Sequence, residues 1–431
     1  MLKRSFFAKK PRFEYETAGN VPVEAESIPV PDKATFFINR PLDGKTALSL
    51  KIGDRVKTGQ KISPFPDGGA YAICSVTGSV TSIAPYAGDY GQSYTAVSVV
   101  TEGKDDFDET FGDILNNEGV EAAKDYLAGV PGAPAMDLFS SPDHGIDTIV
   151  ICGVEKDLLV ATNQHALKEN VAFMNAGISG LKKMTGVHKI VIALPQSLMA
   201  DAGGIGGASG VELRVIDTQY PSSLPRMIMK DIIGKPVPAD KTCDDLGVCF
   251  VTAEAVASIG KAIQERKLPV TKTLTFINKD LSKCMVSARI GTPVGSIFKA
   301  FDVTLLEKDR LIVGGPMTGA AIYSEEHPIC PDTDALMVQD GADVPMVADT
   351  PCINCGECIR VCPADIPVDM LIRFLEARQY EDAADMYDLY SCVECGLCSF
   401  VCVSKIPIFQ YIRLAKYELG RIRNAEEAAD V

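Results

Sequence analysis

Long apolar stretches are missing from this sequence of 431 residues. A membrane-spanning helix needs roughly 18 or more consecutive apolar residues, whereas the longest apolar runs, 149–154 and 190–194, have the length of buried strands. The basic N-terminus breaks off at Lys9-Lys10-Pro11, before its apolar part reaches the length of a signal peptide. We therefore expect a cytoplasmic protein that meets a membrane only through a surface or a partner.

Basic residues and histidines are also few. Lysine and arginine total 42 against 57 acidic residues, a formal net charge of −15, which argues against a nucleic-acid partner because phosphate binding requires basic patches. None of the four histidines has a histidine or cysteine at metal-ligand spacing: His144, His165, His188 and His327. Because the sequence also lacks a Walker loop and a nucleophile elbow, we assign no catalytic residue.

Cysteine, in contrast, is abundant and unevenly placed. Eight of the 14 cysteines lie between Cys352 and Cys402, in two runs of the form C-x2-C-x2-C-x3-C. In a long chain without an export signal, such spacing indicates metal rather than disulfides. Zinc sites are typically built from separate cysteine pairs or from cysteine with histidine. The doubled run is instead typical of proteins with two [4Fe–4S] clusters.

The spacing also predicts which cysteines share a cluster. Three thiolates from one tight loop bind three irons of a cubane, and in two-cluster proteins the fourth ligand comes from the other run. We therefore assign one cluster to Cys352, Cys355, Cys358 and Cys402, and the other to Cys392, Cys395, Cys398 and Cys362. Gly356 and Gly396 hold equivalent positions, where a small residue lets the loop fold closely around the cluster. Val403 stands where the first run has Pro363.

The rest of the chain is predicted to be multidomain, α/β and α+β. Residues 1–105 carry Gly-Asp-Arg-Val-Lys-Thr-Gly-Gln at 53–60 and resemble a barrel-sandwich domain of the biotinyl/lipoyl type, without the lysine hairpin. The acidic run 101–113 is interpreted as a solvated loop or linker. Residues 106–265 alternate predicted strands with a helix and indicate an α/β domain with a mostly parallel sheet. The predicted strands are 147–153, 189–194 and 212–216, and the helix is 163–181.

Two further units follow in the sequence. Residues 266–335 read as a small α+β unit with strands at 274–278, 285–290 and 310–313. Residues 345–424 contain the cysteine runs, separated by predicted helical segments around Met370–Leu375 and Ala383–Tyr390. An amphipathic stretch, 406–423, either docks on a partner or membrane surface or packs against the cluster module. The glycine-rich stretch 203–210 fits no dinucleotide motif and is predicted to be a surface loop.

This order of parts resembles the RnfC family, the C subunits of Rnf electron-transport complexes, over nearly the whole chain. The resemblance is carried by Arg-Ile-Gly-Thr-Pro at 289–293, Gly-Gly-Pro-Met-Thr-Gly at 314–319 and the cysteine runs. It implies an α/β domain like that of the complex I flavin subunit, a β-grasp (SLBB-like) unit and an α-helical two-cluster ferredoxin. The A subunit of the sodium-pumping NADH:quinone reductase is a more distant relative.

The resemblance also implies a function. It describes a peripheral subunit on the cytoplasmic face of the cell membrane, in an ion-translocating oxidoreductase, with ferredoxin or NADH as soluble redox partner. The family typically binds FMN and NADH in its α/β domain. Here the flavin-loop region reads Gly129-Val130-Pro131-Gly132-Ala133-Pro134-Ala135, and proline has no N–H for a phosphate. The acidic stretch that the family has after the strand at 147–153 is reduced here to Glu155. Residues 220–225 lack the glycine and the Glu-Lys pair that the resemblance leads us to expect.

Three hypotheses remain open from the sequence. In the first, the chain is a relay that passes electrons through its two clusters to membrane subunits. In the second, it is an NADH dehydrogenase subunit whose FMN, held near Gly129 and Gly132, splits hydride pairs into single electrons. In the third, it is a soluble reductase like the cobalamin reductases related to this family.

Overall fold

The computed structural model describes residues 10–17, 19, 24–42, 47–88, 91–139, 145–205, 210–344, 347 and 350–429. Over these residues the chain forms four β-sheets and a series of C-terminal helices. The N-terminal Met1–Phe7, His144 and residues 206–209 of the predicted glycine-rich loop lie outside the described residues.

The first part of the chain is a small all-β region. After β1 (Glu26–Ser27), it contains β2 (Lys33–Ile38), β3 (Arg55–Val56), β4 (Lys61–Ile62), β5 (Ala72–Ile73), β6 (Gly78–Ala87) and β7 (Ser93–Thr101). An antiparallel N-terminal sheet has the order β2-β7-β6-β3, and β4 pairs with β5. Alternate residues of β2 are buried, as a strand with one face on a core requires. That core contains Phe36, Val56, Ile62 and Val97.

The acidic run after β7 is largely exposed, as its composition predicts, but it also forms ion pairs with distant parts of the chain. Glu102 and Asp106 both pair with Arg55, each at 3.1 Å, and Asp105 pairs with Arg289 far along the chain. The Thr58 hydroxyl also donates to Asp105 at 2.8 Å. The run therefore ties the N-terminal sheet to a later strand. The basic partners are 47 or more residues away, so charge pattern alone does not reveal them.

A parallel sheet forms the next part. It follows α1 (Thr110–Asn117) and α2 (Lys124–Leu127) and contains β8 (Thr148–Cys152), β9 (Lys189–Leu194), β10 (Val211–Val215) and β11 (Val248–Thr252). The strand order is β10-β9-β8-β11. Strands β9 and β10 are thus added on one side of β8 and β11 on the other, so the strand order reverses between β8 and β11. The helices between or after these strands are α3 (Thr162–Glu169), α4 (Val171–Thr185), α5 (Pro225–Ile228) and α6 (Ala253–Glu265).

The predicted single helix over 163–181 is two helices, so that prediction was wrong in detail. Asn170 leaves helical geometry, with φ −120° and ψ 33°, and separates α3 from α4. A short amide side chain competes for backbone hydrogen bonds and so favours such breaks. The three strands predicted for this region are confirmed, within one residue or two at each end.

A six-stranded sheet follows. It contains β12 (Thr271–Ile277), β13 (Lys283–Arg289), β14 (Arg310–Val313), β15 (Ala320–Ile322) and β16 (Ala335–Gln339), and α7 (Val294–Ala300) covers one face. Its order is β1-β13-β12-β16-β14-β15, so the two residues of β1 join a sheet formed mostly by residues more than 240 positions later. Ile297 and Phe298 of α7 pack against Phe276 and Leu336 of the sheet.

The C-terminal helices complete the molecule. They are α8 (Glu357–Val361), α9 (Val368–Glu376), α10 (Tyr380–Tyr387), α11 (Leu397–Val401) and α12 (Ile408–Ala429). The helical segments predicted between the cysteine runs are confirmed as α9 and α10. The apolar face of α12, which includes Ile412 and Leu419, packs in the same core as Leu371 of α9, so this part of the amphipathic stretch packs against the cysteine-bearing helices. Among the described residues, no helix is long and apolar enough to cross a bilayer.

Candidate metal centres

The eight clustered cysteines line two separate small cavities. The first cavity is bordered by Cys352, Cys355, Cys358 and Cys402, and the second by Cys362, Cys392, Cys395 and Cys398. Each cavity therefore receives three cysteines from one run and one from the other, in the grouping that the spacing predicts. Within the described residues no group of three or more Cys, His, Asp or Glu side chains is arranged to hold one metal ion.

The two runs fold in the same way. Gly356 and Gly396 take the left-handed conformation with φ of 72° and 71°, and helices α8 and α11 begin directly after them. Two residues earlier, Asn354 and Glu394 have φ of 57° and 58°. Each loop thus bends back over its cavity and brings the third cysteine of the run into the first turn of a short helix. The sequence repeat is a structural repeat.

The two sites differ in their exposure. At the first site Cys355 is exposed, and the apolar side chains of Ile353 and Val403 beside it are 63% and 55% exposed. At the second site Cys395 and Cys398 are buried. Burial raises the pKa of the Cys395 thiol to about 12, so this sulfur would be a thiolate at neutral pH only with a bound cation beside it.

Contacts from elsewhere in the chain enclose the second site. The Tyr220 hydroxyl, which follows β10, donates to the Cys395 carbonyl oxygen at 2.6 Å. On the other side, Lys416 Nζ of α12 donates to the Cys392 carbonyl oxygen at 3.0 Å and pairs with Glu394 at 2.7 Å. A side chain at Gly396 would collide with the Met317 carbonyl, so the loop lies directly on the residues before β15. The parallel sheet and the six-stranded sheet therefore both support this site.

Asp157 holds Met317 in its contact with the loop at Gly396. Its carboxylate accepts hydrogen bonds from the Met317 amide at 3.0 Å, the Thr318 amide at 2.6 Å and the Thr318 hydroxyl at 2.7 Å. Burial raises the pKa of Asp157, while these hydrogen bonds act in the opposite direction. The Gly-Gly-Pro-Met-Thr-Gly phrase noted in the sequence is thus a support for the second site. Sequence reasoning assigned no role to Asp157 or Tyr220, because nothing local links them to cysteines more than 170 residues away.

The region predicted to bind flavin, residues 129–135, is engaged within the protein. Gly132, at φ 89°, packs against the first turn of α6, where an added Cβ would collide with the Ala255 backbone. The Gly132 amide donates to the Pro331 carbonyl at 2.7 Å and the Ala133 amide to Val130 at 3.0 Å. Pro131 and Pro134 have no amide hydrogen to offer. The residues of this loop do not fit a flavin phosphate, which needs free backbone N–H donors.

The edge of the parallel sheet where a nucleotide would be expected is also filled by the chain itself. Ligands of such sheets bind beyond the carboxyl ends of the strands, where the strand order reverses. Here Glu155 Oε1 accepts hydrogen bonds from the Asn163 and Gln164 amides at the start of α3, at 2.8 and 3.1 Å. The carboxyl group of Glu155 thus occupies the helix N-terminus that an external anion would use.

The N-terminal segment 10–17 crosses the same edge. The Tyr15 amide donates to Thr218 and the Tyr220 amide to Phe13, both at 2.9 Å. The Gln164 side chain donates to the Glu16 carbonyl at 2.6 Å. Tyr15 is only 5% exposed. This segment leaves the edge covered.

A larger cleft, of about 840 Å³, lies elsewhere, between the N-terminal sheet, the 129–135 loop and the six-stranded sheet. Phe37, Tyr86 and Tyr323 form an aromatic wall, with Phe37 and Tyr86 stacked at 4.2 Å between ring centroids. No lysine or arginine of the described part of the chain lines it. The titratable side chains on its wall include His327, Asp137 and Asp332.

Comparisons with known proteins agree with the cysteine geometry. Residues 351–406 match the family model described as "4Fe-4S dicluster domain", which confirms that the C-terminal part is of the iron–sulfur type. The chain is 26% identical over 389 residues to the C subunit of an ion-translocating oxidoreductase complex from Serratia proteamaculans, covering 86% of this chain and 55% of that protein. The protein of the same name from Yersinia enterocolitica is 27% identical over 417 residues, covering 93% and 60%.

These relatives confirm the resemblance to the RnfC family that the sequence indicated, and the chain spans 55–60% of their length. Among solved structures, an NAD+-reducing [NiFe]-hydrogenase in the H2-reduced state covers 73% of this chain and 63% of its own chain, at 14% identity and a TM-score of 0.43. A similarity of that size carries no functional conclusion.

Proposed function

We propose that this chain is the electron-transfer subunit of a membrane-associated, Rnf-type ion-translocating oxidoreductase. It relays electrons through two [4Fe–4S] clusters between a soluble carrier and the membrane subunits. The observation that carries this proposal is the pair of cavities, each lined by three cysteines of one run and one cysteine of the other. The name of the relatives, which describes them as part of an ion-translocating oxidoreductase complex, supports the assembly.

The ligands in this proposal are those assigned from the spacing. The first cluster is held by Cys352, Cys355, Cys358 and Cys402, and the second by Cys392, Cys395, Cys398 and Cys362. Such a cluster supplies reversible electron transfer at a potential set by charge, hydrogen bonds and exposure. The protein supplies the thiolates, the enclosing helices and the unequal solvent access of the two sites.

The domain division also belongs to the proposal. Residues 1–105 form a barrel-sandwich domain, 106–265 an α/β domain of the complex I flavin-subunit type, 266–335 a β-grasp unit and 345–424 the ferredoxin domain. The parallel sheet and strands β12 to β15 of the six-stranded sheet fall within single divisions, which supports these boundaries. Strand β16 begins at the boundary at 335 and runs beyond it. Strand β1 crosses them, since it pairs with β13.

The unequal exposure of the two sites indicates which of them an external redox partner can reach. The first cluster, beside exposed Cys355 and Ile353, exchanges electrons with an external redox protein such as a ferredoxin. The second lies against the body of the chain, where Tyr220 and Met317 enclose it. The protein works on the cytoplasmic face of the membrane as a peripheral subunit. Stable capture of integral membrane proteins distinguishes this assembly from a soluble cobalamin-reductase-like enzyme.

We propose that a protein carrier, and not NADH through FMN, supplies the electrons. The Val130, Gly132 and Ala133 amides donate within the chain, and Glu155 occupies the start of α3, which supports this choice. The relay is therefore favoured over the flavin-dependent dehydrogenase.

An anaerobic titration of the cluster-loaded protein tests the choice. NADH should leave the iron–sulfur absorbance unchanged, whereas reduced ferredoxin and, as a control for competence, dithionite should bleach it. Rapid bleaching by NADH, together with flavin released on denaturation, would overturn the relay in favour of the dehydrogenase. Failure of dithionite to bleach a sample with full iron content would contradict the two-cluster function itself.

A further inference from the structure

The structural repeat of the two cysteine runs continues into the helices that follow them. Seven residues after Cys362 stands Asp369, in the first turn of α9, and seven after Cys402 stands Phe409, in the first turn of α12. Asp369 lines the first cavity, and Phe409 lines the second. Three residues further on, Ile372 and Ile412 line the same two cavities. One site thus has a carboxylate where the other has an aromatic ring.

Most other charges around the two sites are balanced or matched. Glu357 pairs with Arg360 at the first run, and Glu394 pairs with Lys416 at the second. The repeat also places Arg373 and Arg413 at equivalent positions. Arg373 is exposed and donates to the Asn354 side chain, while the Arg413 guanidinium lies 5.6 Å from the Phe409 ring centroid. The repeat also sets Asp365 opposite Lys405 and Glu376 opposite Lys416, but none of these four lines a cavity. Among the described residues, the Asp369 carboxylate is the charge difference on the cavity walls themselves.

The carboxylate acts on the site electrostatically. Asp369 lines the first cavity together with Cys355 and Cys358, so its negative charge faces the same space as their sulfur atoms and repels negative charge on them. The same interaction disfavours any negative charge added in the first cavity, and reduction of a cluster adds one. Like charges a few ångströms apart interact strongly in a partly buried site, and net charge is one of the factors that set iron–sulfur potentials.

Burial and hydrogen bonds act on the second site in opposite directions. Its deeper burial disfavours added negative charge, whereas the donors Tyr220 and Lys416 on its loop carbonyls favour it. The Asp369 contribution is separate from both, because Phe409 is uncharged. It can be removed by a single substitution that keeps the shape of the side chain.

We propose that Asp369 sets the distribution of an electron between the two clusters, by lowering the reduction potential of the first cluster and so favouring the second. This inference rests on the proposed function. The step it governs moves one electron from the reduced first cluster to the oxidised second cluster, with no bond formed and no proton transferred. An electron that enters at the exposed site is thereby pushed toward the buried one.

A redox titration followed by electron paramagnetic resonance tests this on the intact, cluster-loaded chain. Asp369→Asn should raise the potential of one cluster by an amount equal to about a tenfold or larger change in occupancy, which is about 59 mV for one electron. The other cluster should move much less. Asp369→Glu, which keeps the charge, should restore the original potential.

The control is Asp382→Asn, which removes the same charge from an exposed position on α10. Equal shifts in Asp369→Asn and in this control would overturn the proposal, as would unchanged potentials in a variant with full iron content. Asp369 is also an acidic residue in the first turn of α9, a position where negative charge stabilises a helix. That role alone would change the melting temperature and leave both potentials in place. If the parent protein does not show two reducible clusters, the proposed function fails before this inference is reached.

Discussion

The Glu155 side chain combines deep burial with an incomplete set of hydrogen bonds. It is 1% exposed, and Oε1 accepts two amide hydrogens at the start of α3. Its second oxygen, Oε2, has no hydrogen-bond partner among the described residues. Burial raises the pKa of this carboxyl from 4.5 to about 8. Glu155 therefore binds a proton at neutral pH in the folded protein and releases it on unfolding.

This difference predicts how stability depends on pH. Between about pH 4.5 and 8 the folded state holds a proton that the unfolded chain has lost, so the unfolding free energy falls as pH rises through that interval. Glu155→Gln removes the contribution, which is a few kcal/mol at most, at about 1.4 kcal/mol per pKa unit. The melting temperature of the variant relative to the parent should rise with pH. Parallel curves for the two proteins would contradict the shifted pKa, and Glu121→Gln, at an exposed carboxyl, serves as the control.

At the scale of single residues, the cysteines were predictable and their surroundings were not. The grouping of the cysteines around the two cavities could be predicted from spacing, because one loop places three of them together. Tyr220, Asp157 and Asp369 could not be recognised, since their contacts depend on which segments the fold brings together. The sequence already showed that residues 129–135 depart from the family's flavin-binding loop, since they contain Pro131 and Pro134. The physical consequence of that departure, a loop packed on α6, required the structure.

Helices α4 and α6 approach each other through glycines. A Cβ on Gly260 would collide with the Phe173 carbonyl, and one on Gly177 would collide with the Val256 carbonyl. Both obstacles are backbone atoms, which cannot move aside as a flexible side chain does. This close contact fixes α6, whose first turn supports Gly132, and so fixes the loop at the edge of the parallel sheet.

Gly260→Ala should therefore destabilise the protein although alanine is the better helix former. Overpacking of this kind costs about 1–3 kcal/mol or more. Gly420→Ala on α12 is the matched control, because nothing lies within 4 Å of an added Cβ there. It should stabilise α12 by about 0.5–1 kcal/mol. Differential scanning calorimetry under anaerobic conditions checks both, and a shift of the same sign in the two variants would refute the packing argument.

Elements were predicted best where their apolar pattern is strong. The fully buried β8 and the amphipathic α9 appear close to their predicted bounds. The break at Asn170 was missed because the apolar pattern continues across it. The role of the 101–113 run was missed because its basic partners lie in other elements.

Across the whole molecule, the second site is where three parts of the chain meet. Residues after β10 and before β15 contact the Cys395–Gly396 loop, and α12 closes the other side. Parts that are far apart in sequence therefore share one buried surface, which includes Val154, Leu158 and Leu397. Movement of the C-terminal helices relative to the parallel sheet is restrained at this surface.

Tyr220→Phe tests that restraint. Loss of the hydroxyl leaves the Cys395 carbonyl without this donor, and an unsatisfied buried group costs about 1–3 kcal/mol. Amide hydrogen exchange in α11 should become faster while exchange in the N-terminal sheet stays the same. Tyr71→Phe, which removes a comparable hydroxyl-to-carbonyl bond to Asp125, is the control. Unchanged exchange in α11 would mean that the apolar contacts alone hold the site.

The exchange of the fourth cysteine between the two runs has a consequence for biosynthesis. Cys402 completes the cavity built by the first run, and Cys362 completes the one built by the second. The second centre would close a loop between Cys362 and Cys392, and the first would close a longer loop, between Cys358 and Cys402, that contains every ligand of the second. The two centres would then act as nested cross-links, of which the outer one is completed last along the chain. Iron insertion at the first site should for this reason wait for Cys402, and a chain truncated before Cys402 should lose the first centre and, with Phe409 and Ile412 of α12, part of the wall of the second.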